Sequence, residues 1–193
     1  MQCSVFIATS LDGFIARPDG SIDWLEAANQ AVPPGEDCGY AAFMASVDLL
    51  VMGRETYQKV RTFPEWPYSG KPVWVASRRL PTGHTKRSAT GVGDSLPAGV
   101  SITSQTPRAI VEAARREGHR RLYVDGGRLI QSFLAEGLIT DLTITAAPVL
   151  LGVGRPLFGP QPTPGTLRLI GSRAFPFGFV QTTYRVEPER ALA

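Results

Sequence analysis

The sequence predicts an α/β fold in three layers, with a mostly parallel central sheet, helices on both faces and an antiparallel hairpin at the C-terminal end. Short apolar runs rich in β-branched residues alternate with helical patterns, which is typical of parallel strands buried under helices. After Gly165 this alternation gives way to two consecutive β-rich runs. A length of 193 residues suits one domain, so we expect residues 1–193 to form a single unit with one site.

Apolar periodicity and turn residues place the individual elements. In the predicted helix over 106–117, Thr106 can act as the N-cap and Pro107 takes the first helical position. The other predicted helices cover 39–46 and 128–136, the strands 5–8, 48–52, 72–76, 121–124 and 142–149, the hairpin strands 167–175 and 179–186, and a loop region 78–99.

The composition predicts a soluble cytoplasmic protein. Its net charge of +3 suits a phosphate-bearing small molecule and does not require nucleic acid. Basic pairs such as Arg78-Arg79 are scattered, without a recognition helix or an aromatic platform. No apolar run approaches the ~18 residues of a membrane span, and no secretory pattern opens the chain. Cys3 and Cys38 have no second ligand at metal-binding spacing, so we expect a reducing compartment and no bound metal.

The strongest local signal is the segment 48–57, an apolar strand that runs through Gly53 into the start of a helix. Free backbone N–H groups at such a start attract anions. Gly53 would let a phosphate approach the backbone, Arg54 could pair with it, and Thr56 could add a hydroxyl. The alternative is an ordinary strand-to-helix turn with a solvated arginine.

Three further segments point to the same edge of the sheet. Gly126 and Gly127 follow a strand and lack the Cβ atoms that would block a pyrophosphate. Another strand delivers Ser77 and Arg78, and the loop over 8–16 can cover a flat ring and exclude water. Each segment alone also fits a tight turn or a surface basic pair. Because ligands in open α/β sheets gather at the carboxyl ends of strands, their combination favours a dinucleotide site.

In combination, these segments resemble the dihydrofolate reductase-like superfamily, and most closely its branch with the reductase domain of the bacterial riboflavin pathway. The resemblance implies NADPH as cofactor and a homodimer, for which the apolar run 175–180 would offer a surface that needs cover. It also implies Trp24 as a substrate-binding residue. The matching segments are 10–16, 23–24, 52–57, 77–78, 124–127 and 147–158.

The same resemblance implies which residues bind NADPH. They are Gly53, Arg54, Thr56, Ser77 and Arg78 toward the adenosine phosphates, Gly126, Gly127, Arg128 and Leu129 at the pyrophosphate, and Ala8, Phe14 and Ile15 beside the nicotinamide.

Two departures from the family pattern matter. If Phe43 is the phenylalanine that follows the pterin-binding carboxylate of dihydrofolate reductases by one turn, Gly39 occupies the position of that carboxylate. Asp37 is close, but two residues rotate its direction on a helix by about 200°. We therefore expect negligible turnover of dihydrofolate. Residues 56–64 also lack the Asp-Asp-Pro stretch with which the riboflavin-pathway reductases handle their ribose phosphate.

The sequence thus predicts an NADPH-dependent reductase that transfers a hydride to a small heterocyclic or carbonyl substrate. Reduction of 5-amino-6-(5-phosphoribosylamino)uracil is one named candidate for the reaction. The proton would come from water or from Asp12, Asp23 or Asp37, which the sequence does not rank. The alternative is a non-catalytic NADP-binding protein of the same fold.

Overall fold

The computed structural model describes residues 1–80, 96–159 and 166–187. Its strands are β1 (Gln2–Ser10), β2 (Phe14–Ala16), β3 (Leu49–Gly53), β4 (Val73–Ala76), β5 (Val100–Thr103), β6 (Arg121–Asp125), β7 (Asp141–Ala147), β8 (Arg155–Pro156), β9 (Thr166–Ala174) and β10 (Val180–Glu187). Its helices are α1 (Asp23–Asn29), α2 (Tyr40–Ala45), α3 (Arg54–Val60), α4 (Pro107–Arg116) and α5 (Gly127–Ala135). Most of the predicted loop region 78–99 lies outside the described residues.

Eight strands form one sheet in the order β5-β4-β3-β6-β1-β7-β10-β9. The pairs from β5 through β7 are parallel, whereas β7–β10 and β10–β9 are antiparallel. β2 and β8 pair separately as a small two-stranded sheet. This topology confirms the predicted fold class, including the C-terminal hairpin.

Helices cover both faces of the sheet. On one face α4 and α5 bury Ile110, Ile130 and Phe133 against Leu49 and Leu122. On the other face the apolar residues of α2 and α3 pack with those of β3 and β4. β3 is buried on both faces, which explains why its sequence is continuously apolar instead of alternating.

The sheet divides into two halves beyond residue 4. Among the described residues β1 pairs with β6 only from Gln2↔Arg121 to Ser4↔Tyr123. β1 continues beside β7 as far as Ser10↔Ala147. Residues 6–10 of β1 therefore diverge from the end of β6, and we call this opening at the carboxyl ends of the strands the strand fork.

The structure adds elements that the sequence pattern did not predict: α1, β2, β5 and β8. Each is short, and β2 and β8 have only three and two residues, so no periodicity can develop. Two residues of the apolar run 175–180 need no cover from a second copy, whereas Val180 stays 44% exposed. Phe175 and Phe179 are buried in a cluster with Trp24 of α1, so the protein covers them itself.

Candidate functional site

A cluster of arginines lies where β3 passes into α3. Oε2 of Glu55 lies 2.5 Å from Nη1 of Arg155. Oε1 of the same carboxylate lies 3.7 Å from Nη2 of Arg54 and 3.9 Å from Nη1 of Arg128. The three arginines come from β8, α3 and α5, and with one carboxylate among them they form an arginine cluster of net positive charge. Arg155 was missed as a site residue because it lies about 100 positions from Glu55.

The glycine pair stands at the end of β6, as predicted. Contacts within the protein already require glycine at both positions. A Cβ atom on Gly126 would collide with Oγ1 of Thr56, and the residue has a φ of 97°. A Cβ atom on Gly127 would lie 2.8 Å from Cδ1 of Ile15 and 3.4 Å from the carbonyl oxygen of Pro156. The pair therefore lets α3, β2 and β8 approach the start of α5, and no pyrophosphate is needed to explain it.

The remaining residues predicted at the phosphates lie at the same edge. Gly53 pairs with Ala76, so Ser77 begins the segment next to the end of β3. Oγ of Ser77 accepts hydrogen bonds of 3.1 Å from the N–H groups of Arg79 and Leu80, which occupies it in a local turn. Arg78 is exposed. Leu129 packs against the core, with its Cβ 4.0 Å from where a Cβ on Gly53 would lie.

The residues predicted beside the nicotinamide border the strand fork. Ala8 lies on the diverging part of β1, opposite Thr145 of β7. The N–H of Phe14 donates a hydrogen bond of 3.0 Å to Oγ of Ser10, which turns the chain back into β2. From β2, Ile15 reaches the first residue of α5. The structure therefore brings Ile15 to the glycine pair and leaves Ala8 on a neighbouring strand.

Asp125, to which the sequence reasoning gave no role, ends β6 at the strand fork. It lies beside Met52 of β3 and directly before the glycine pair. Burial raises the pKa of the Asp125 carboxyl to about 6, although a hydrogen bond of 2.8 Å from the N–H of Gly126 acts in the opposite direction. A carboxyl group with this pKa holds a proton at mildly acidic pH and exchanges it near neutrality.

Three tyrosines surround the same region. Tyr123 lies two residues before Asp125 on the strand, and so shares its face of the sheet. Tyr40 and Tyr68 lie close enough for each hydroxyl group to influence the pKa of the other. Burial, and then the negative charge of Asp125, raise the pKa of all three phenols, that of Tyr40 to about 12. The hydroxyl groups therefore remain protonated. Their spacing in the chain has no pattern that could have revealed them.

The predicted acid Asp12 holds the loop after β1. Its carboxylate accepts hydrogen bonds from Oγ of Ser10 at 2.6 Å and from the N–H groups of Leu151 and Gly152. These bonds, with that of Ser10 foremost, lower the pKa of Asp12. A carboxylate that is ionised and engaged in this way is poorly suited to donate a proton.

Asp23 and Asp37 have similar structural roles. A hydrogen bond of 2.7 Å from Arg17 lowers the pKa of Asp23 at the start of α1. Hydrogen bonds from the N–H groups of Ala41 and Gly39 lower the pKa of Asp37, which caps α2. Both carboxylates are exposed, and the structure offers no reason for either to hold a proton at neutral pH.

Two indole N–H groups are buried without a hydrogen-bond partner among the described residues. They belong to Trp24, predicted to contact the substrate, and to Trp66, which packs edge-on against Tyr57 and Tyr68. A buried donor without an acceptor is costly, so each N–H group could accommodate a water or ligand acceptor. In the described part of the chain no three metal-binding side chains lie together. None of its helices could span a membrane.

Comparison with known proteins assigns this architecture to a family. Residues 3–180 match the model of the RibD C-terminal domain. The chain belongs to the RibD C-terminal domain family. An uncharacterized protein of Bacillus subtilis, YwjB, is 35% identical over 175 residues, which cover 89% of this chain and 90% of that protein.

Solved structures related to the RibD C-terminal family have the same fold. A putative riboflavin biosynthesis protein from Shewanella sp. PV-4 is 39% identical, with a TM-score of 0.82 over 97% of this chain and all of that chain. The bifunctional deaminase and 5-amino-6-(5-phosphoribosylamino)uracil reductase of Thermotoga maritima is 13% identical, with a TM-score of 0.69 over 96% of this chain and 56% of that one. The latter shares the fold alone. Membership in the family supports a reductase of the riboflavin-biosynthesis type.

The residues at the strand ends fit an anionic dinucleotide cofactor. The arginine cluster supplies a set of donors with excess positive charge, suited to phosphate groups. Space is open over Gly53, where an added Cβ would meet nothing nearer than 4.0 Å. The strand fork lies on the adjacent strands, so a ligand along this edge can extend from the cluster to Asp125.

Proposed function

We propose that the protein is an NADPH-dependent reductase that acts on a small heterocyclic or carbonyl substrate bound in the strand fork. The observation that carries the proposal is the position of Asp125, an acid with a raised pKa, between the fork and the glycine pair. Family membership supports the reductase class, and the arginine cluster supports a phosphate-bearing cofactor.

The protein's part in the reaction would be positioning and proton supply. When bound, NADPH supplies the hydride. Asp125 would hold the proton that the reduced substrate needs, in place of the three acids predicted from the sequence. Phe6 and Phe43 stack with centroids 4.9 Å apart next to Tyr123, and of these three rings only that of Phe6 is partly exposed and available to a flat ring. The protonated hydroxyl group of Tyr40, which is only partly buried, can orient a polar atom of such a ring, whereas that of Tyr123 is engaged with the carbonyl oxygen of Phe6.

The proposal includes a preference for NADPH over NADH. Arg54 and Arg78 are the predicted partners of the additional phosphate, and each charge-assisted hydrogen bond contributes about 1.5–3 kcal/mol. We expect Arg54→Ala to weaken NADPH binding more than NADH binding. Equal affinity for both cofactors in the wild type, unchanged in the variant, would contradict this preference.

The decisive experiment follows NADPH oxidation with purified full-length protein and a panel of pterins, pyrimidines, quinones and 5-amino-6-(5-phosphoribosylamino)uracil. Asp125→Asn should lower turnover by about 10²–10⁴-fold, because it removes a general acid. In the wild type, turnover should fall as the pH rises above about 6, since the protonated form of Asp125 is lost. Glu112→Gln, an exposed carboxylate on α4, is the matched control.

The same experiment separates the proposed reductase from a non-catalytic NADP-binding protein. Binding of NADPH without oxidation by any member of the panel would favour the binding protein. We expect negligible turnover of dihydrofolate, because Gly39 carries no acid and Asp37 is engaged as the cap of α2. Efficient turnover that disappears in Asp37→Asn would contradict the alignment that puts Gly39, and not Asp37, at the position of the pterin-binding carboxylate.

A further inference from the structure

Glu55 has an unusual place in the phosphate end of the site. It is an acid at the centre of three arginines that the proposed function assigns to phosphate groups. Arg54 also donates a hydrogen bond of 3.2 Å to Gln58, and Arg155 donates one of 3.2 Å to the carbonyl oxygen of Pro18. These two guanidinium groups therefore have partners besides the carboxylate.

Arg128 is the loosest member of the cluster. Its side chain is 91% exposed, and its contact with Glu55 is 3.9 Å long. Such a contact leaves the hydrogen-bonding positions of the guanidinium group open to another anion. Arg155, in contrast, is close-packed, since a Cβ on Gly20 would lie 3.1 Å from its Cζ. The cluster thus combines one guanidinium packed against Gly20, one exposed guanidinium and an intramolecular anion.

We propose that Glu55 is a built-in competitor of the cofactor's phosphate groups, which occupies the arginine cluster and thereby sets its affinity for phosphate. The identity of the ligand as NADPH rests on the proposed function, whereas the competition itself rests on the cluster. An arriving phosphate shares Arg128 with the carboxylate, and must tolerate its negative charge near Arg155.

The size of the effect follows from Coulomb's law. All members of the cluster are partly exposed, so solvent screens the repulsion between the carboxylate and a phosphate a few ångströms away. At a water-like dielectric this repulsion changes a dissociation constant by about 3- to 10-fold. A competitor of this strength would shift the affinity for the cofactor without abolishing binding.

A different role for Glu55 predicts the opposite sign. If the carboxylate only fastens Arg155 and the segment at Pro18, its removal loosens the site and weakens phosphate binding. If Glu55 competes, its removal strengthens phosphate binding. The isosteric variant Glu55→Gln therefore distinguishes the two roles by the direction of the change.

The experiment measures dissociation constants of full-length wild type, Glu55→Gln and Glu112→Gln for NADPH, NADH and inorganic pyrophosphate at low and high salt. We expect Glu55→Gln to bind NADPH and pyrophosphate about 3- to 10-fold more tightly, with a smaller gain for NADH and at high salt. Glu112→Gln should bind like the wild type. Arg155→Gln should weaken binding, because it leaves Glu55 less neutralised.

Each outcome has a distinct meaning. Unchanged or weaker binding of both NADPH and pyrophosphate by Glu55→Gln overturns the competitor role. Tighter pyrophosphate binding in a protein that binds no nicotinamide dinucleotide overturns the proposed function and supports the competitor role. Thermal melts verify folding, and if Glu55→Gln is unfolded, Glu55→Asp withdraws the carboxylate from Arg155 and is expected to shift both affinities in the same direction.

Discussion

The hydroxyl group of Tyr123 donates a hydrogen bond of 2.9 Å to the carbonyl oxygen of Phe6. The bond lies where the pairing of β1 with β6 has ended, so a side chain supplies a donor that the ladder no longer provides. Phe43 packs against both rings, edge-on to Tyr123 and stacked on Phe6. The two halves of the sheet are therefore joined at the strand fork by one hydrogen bond and an aromatic contact.

We expect Tyr123→Phe to destabilise the protein by about 1–3 kcal/mol, because it leaves a partly buried carbonyl group without its donor and retains the ring. The free energy of unfolding in urea measures the loss. Tyr184→Phe on β10 is the matched control, since this tyrosine is only partly buried, and we expect a change below about 0.5 kcal/mol. Equal effects of the two substitutions would show that the hydrogen bond to Phe6 adds nothing measurable to the free energy of unfolding.

Asp125→Asn should stabilise the protein at neutral pH while it impairs the reaction. The folded state binds the Asp125 proton more tightly than the unfolded chain, with a pKa of about 6 against an ordinary 3.8, so stability falls as pH rises between these values. At pH 7 the cost is on the order of 3 kcal/mol. Asn avoids it and can still accept the hydrogen bond from Gly126.

The measurement is the difference in unfolding free energy between wild type and Asp125→Asn across the pH range. It should be small near pH 4, grow through pH 5 and 6, and level off above the folded-state pKa. A difference independent of pH would mean that burial does not raise the pKa of Asp125 in solution.

Gly126→Ala should destabilise the protein more than alanine at a glycine that also has a positive φ but has open space around it. A left-handed backbone costs a non-glycine residue roughly 1–2 kcal/mol, and the collision with Thr56 adds about 1–3 kcal/mol of overpacking. Gly118→Ala provides the control, since Gly118 has a φ of 85° but nothing within 4 Å of an added Cβ. Chemical denaturation of both variants compares the two losses, and equal losses would remove the packing argument.

We propose that two copies of the chain pair through the outer hairpin strand. All nine residues of β9 are exposed at the edge of the sheet, with Leu169 54% and Ile170 51% exposed. No strand in the described part of the chain pairs with the outer side of β9, and an apolar edge of this kind favours pairing with another strand. Light scattering at micromolar concentration should give a dimeric mass for the wild type and a monomeric mass for Ile170→Lys. Leu150→Lys, at an apolar residue that is 72% exposed but lies outside β9, should remain dimeric.

The fold was predictable because its larger elements have strong local signals. Thr106 caps α4 and Pro107 begins it, as predicted, and the N–H of Ala109 donates to the Thr106 hydroxyl oxygen. Buried strands such as β3 are recognisable from continuous apolar residues. β5 was missed because its four residues follow a region of glycines and prolines that obscures its start.

The candidate site was predictable only in part, because sequence patterns identify local segments but not the tertiary contacts between distant segments. The strand ends at Gly53 and Gly126 were found because strand, glycine and helix follow one another in the chain. Arg155 was not, because its partner Glu55 belongs to a distant element. The sequence could not rank the acids, since no pattern distinguishes a carboxylate that caps a helix from one whose pKa is raised by burial.

The place of β1 in the middle of the sheet has a consequence for how the chain folds. Ser4 and Asp141, hydrogen-bonded at 3.0 Å, are 137 residues apart. During synthesis β1 therefore has no partner until β6 and β7 have left the ribosome, and its apolar residues lack their neighbours while the intervening elements are made. Such long-range pairing makes folding slow, in the range of milliseconds to seconds. A chain released after residue 140 lacks β7 and should not acquire the near-ultraviolet circular dichroism of the folded protein.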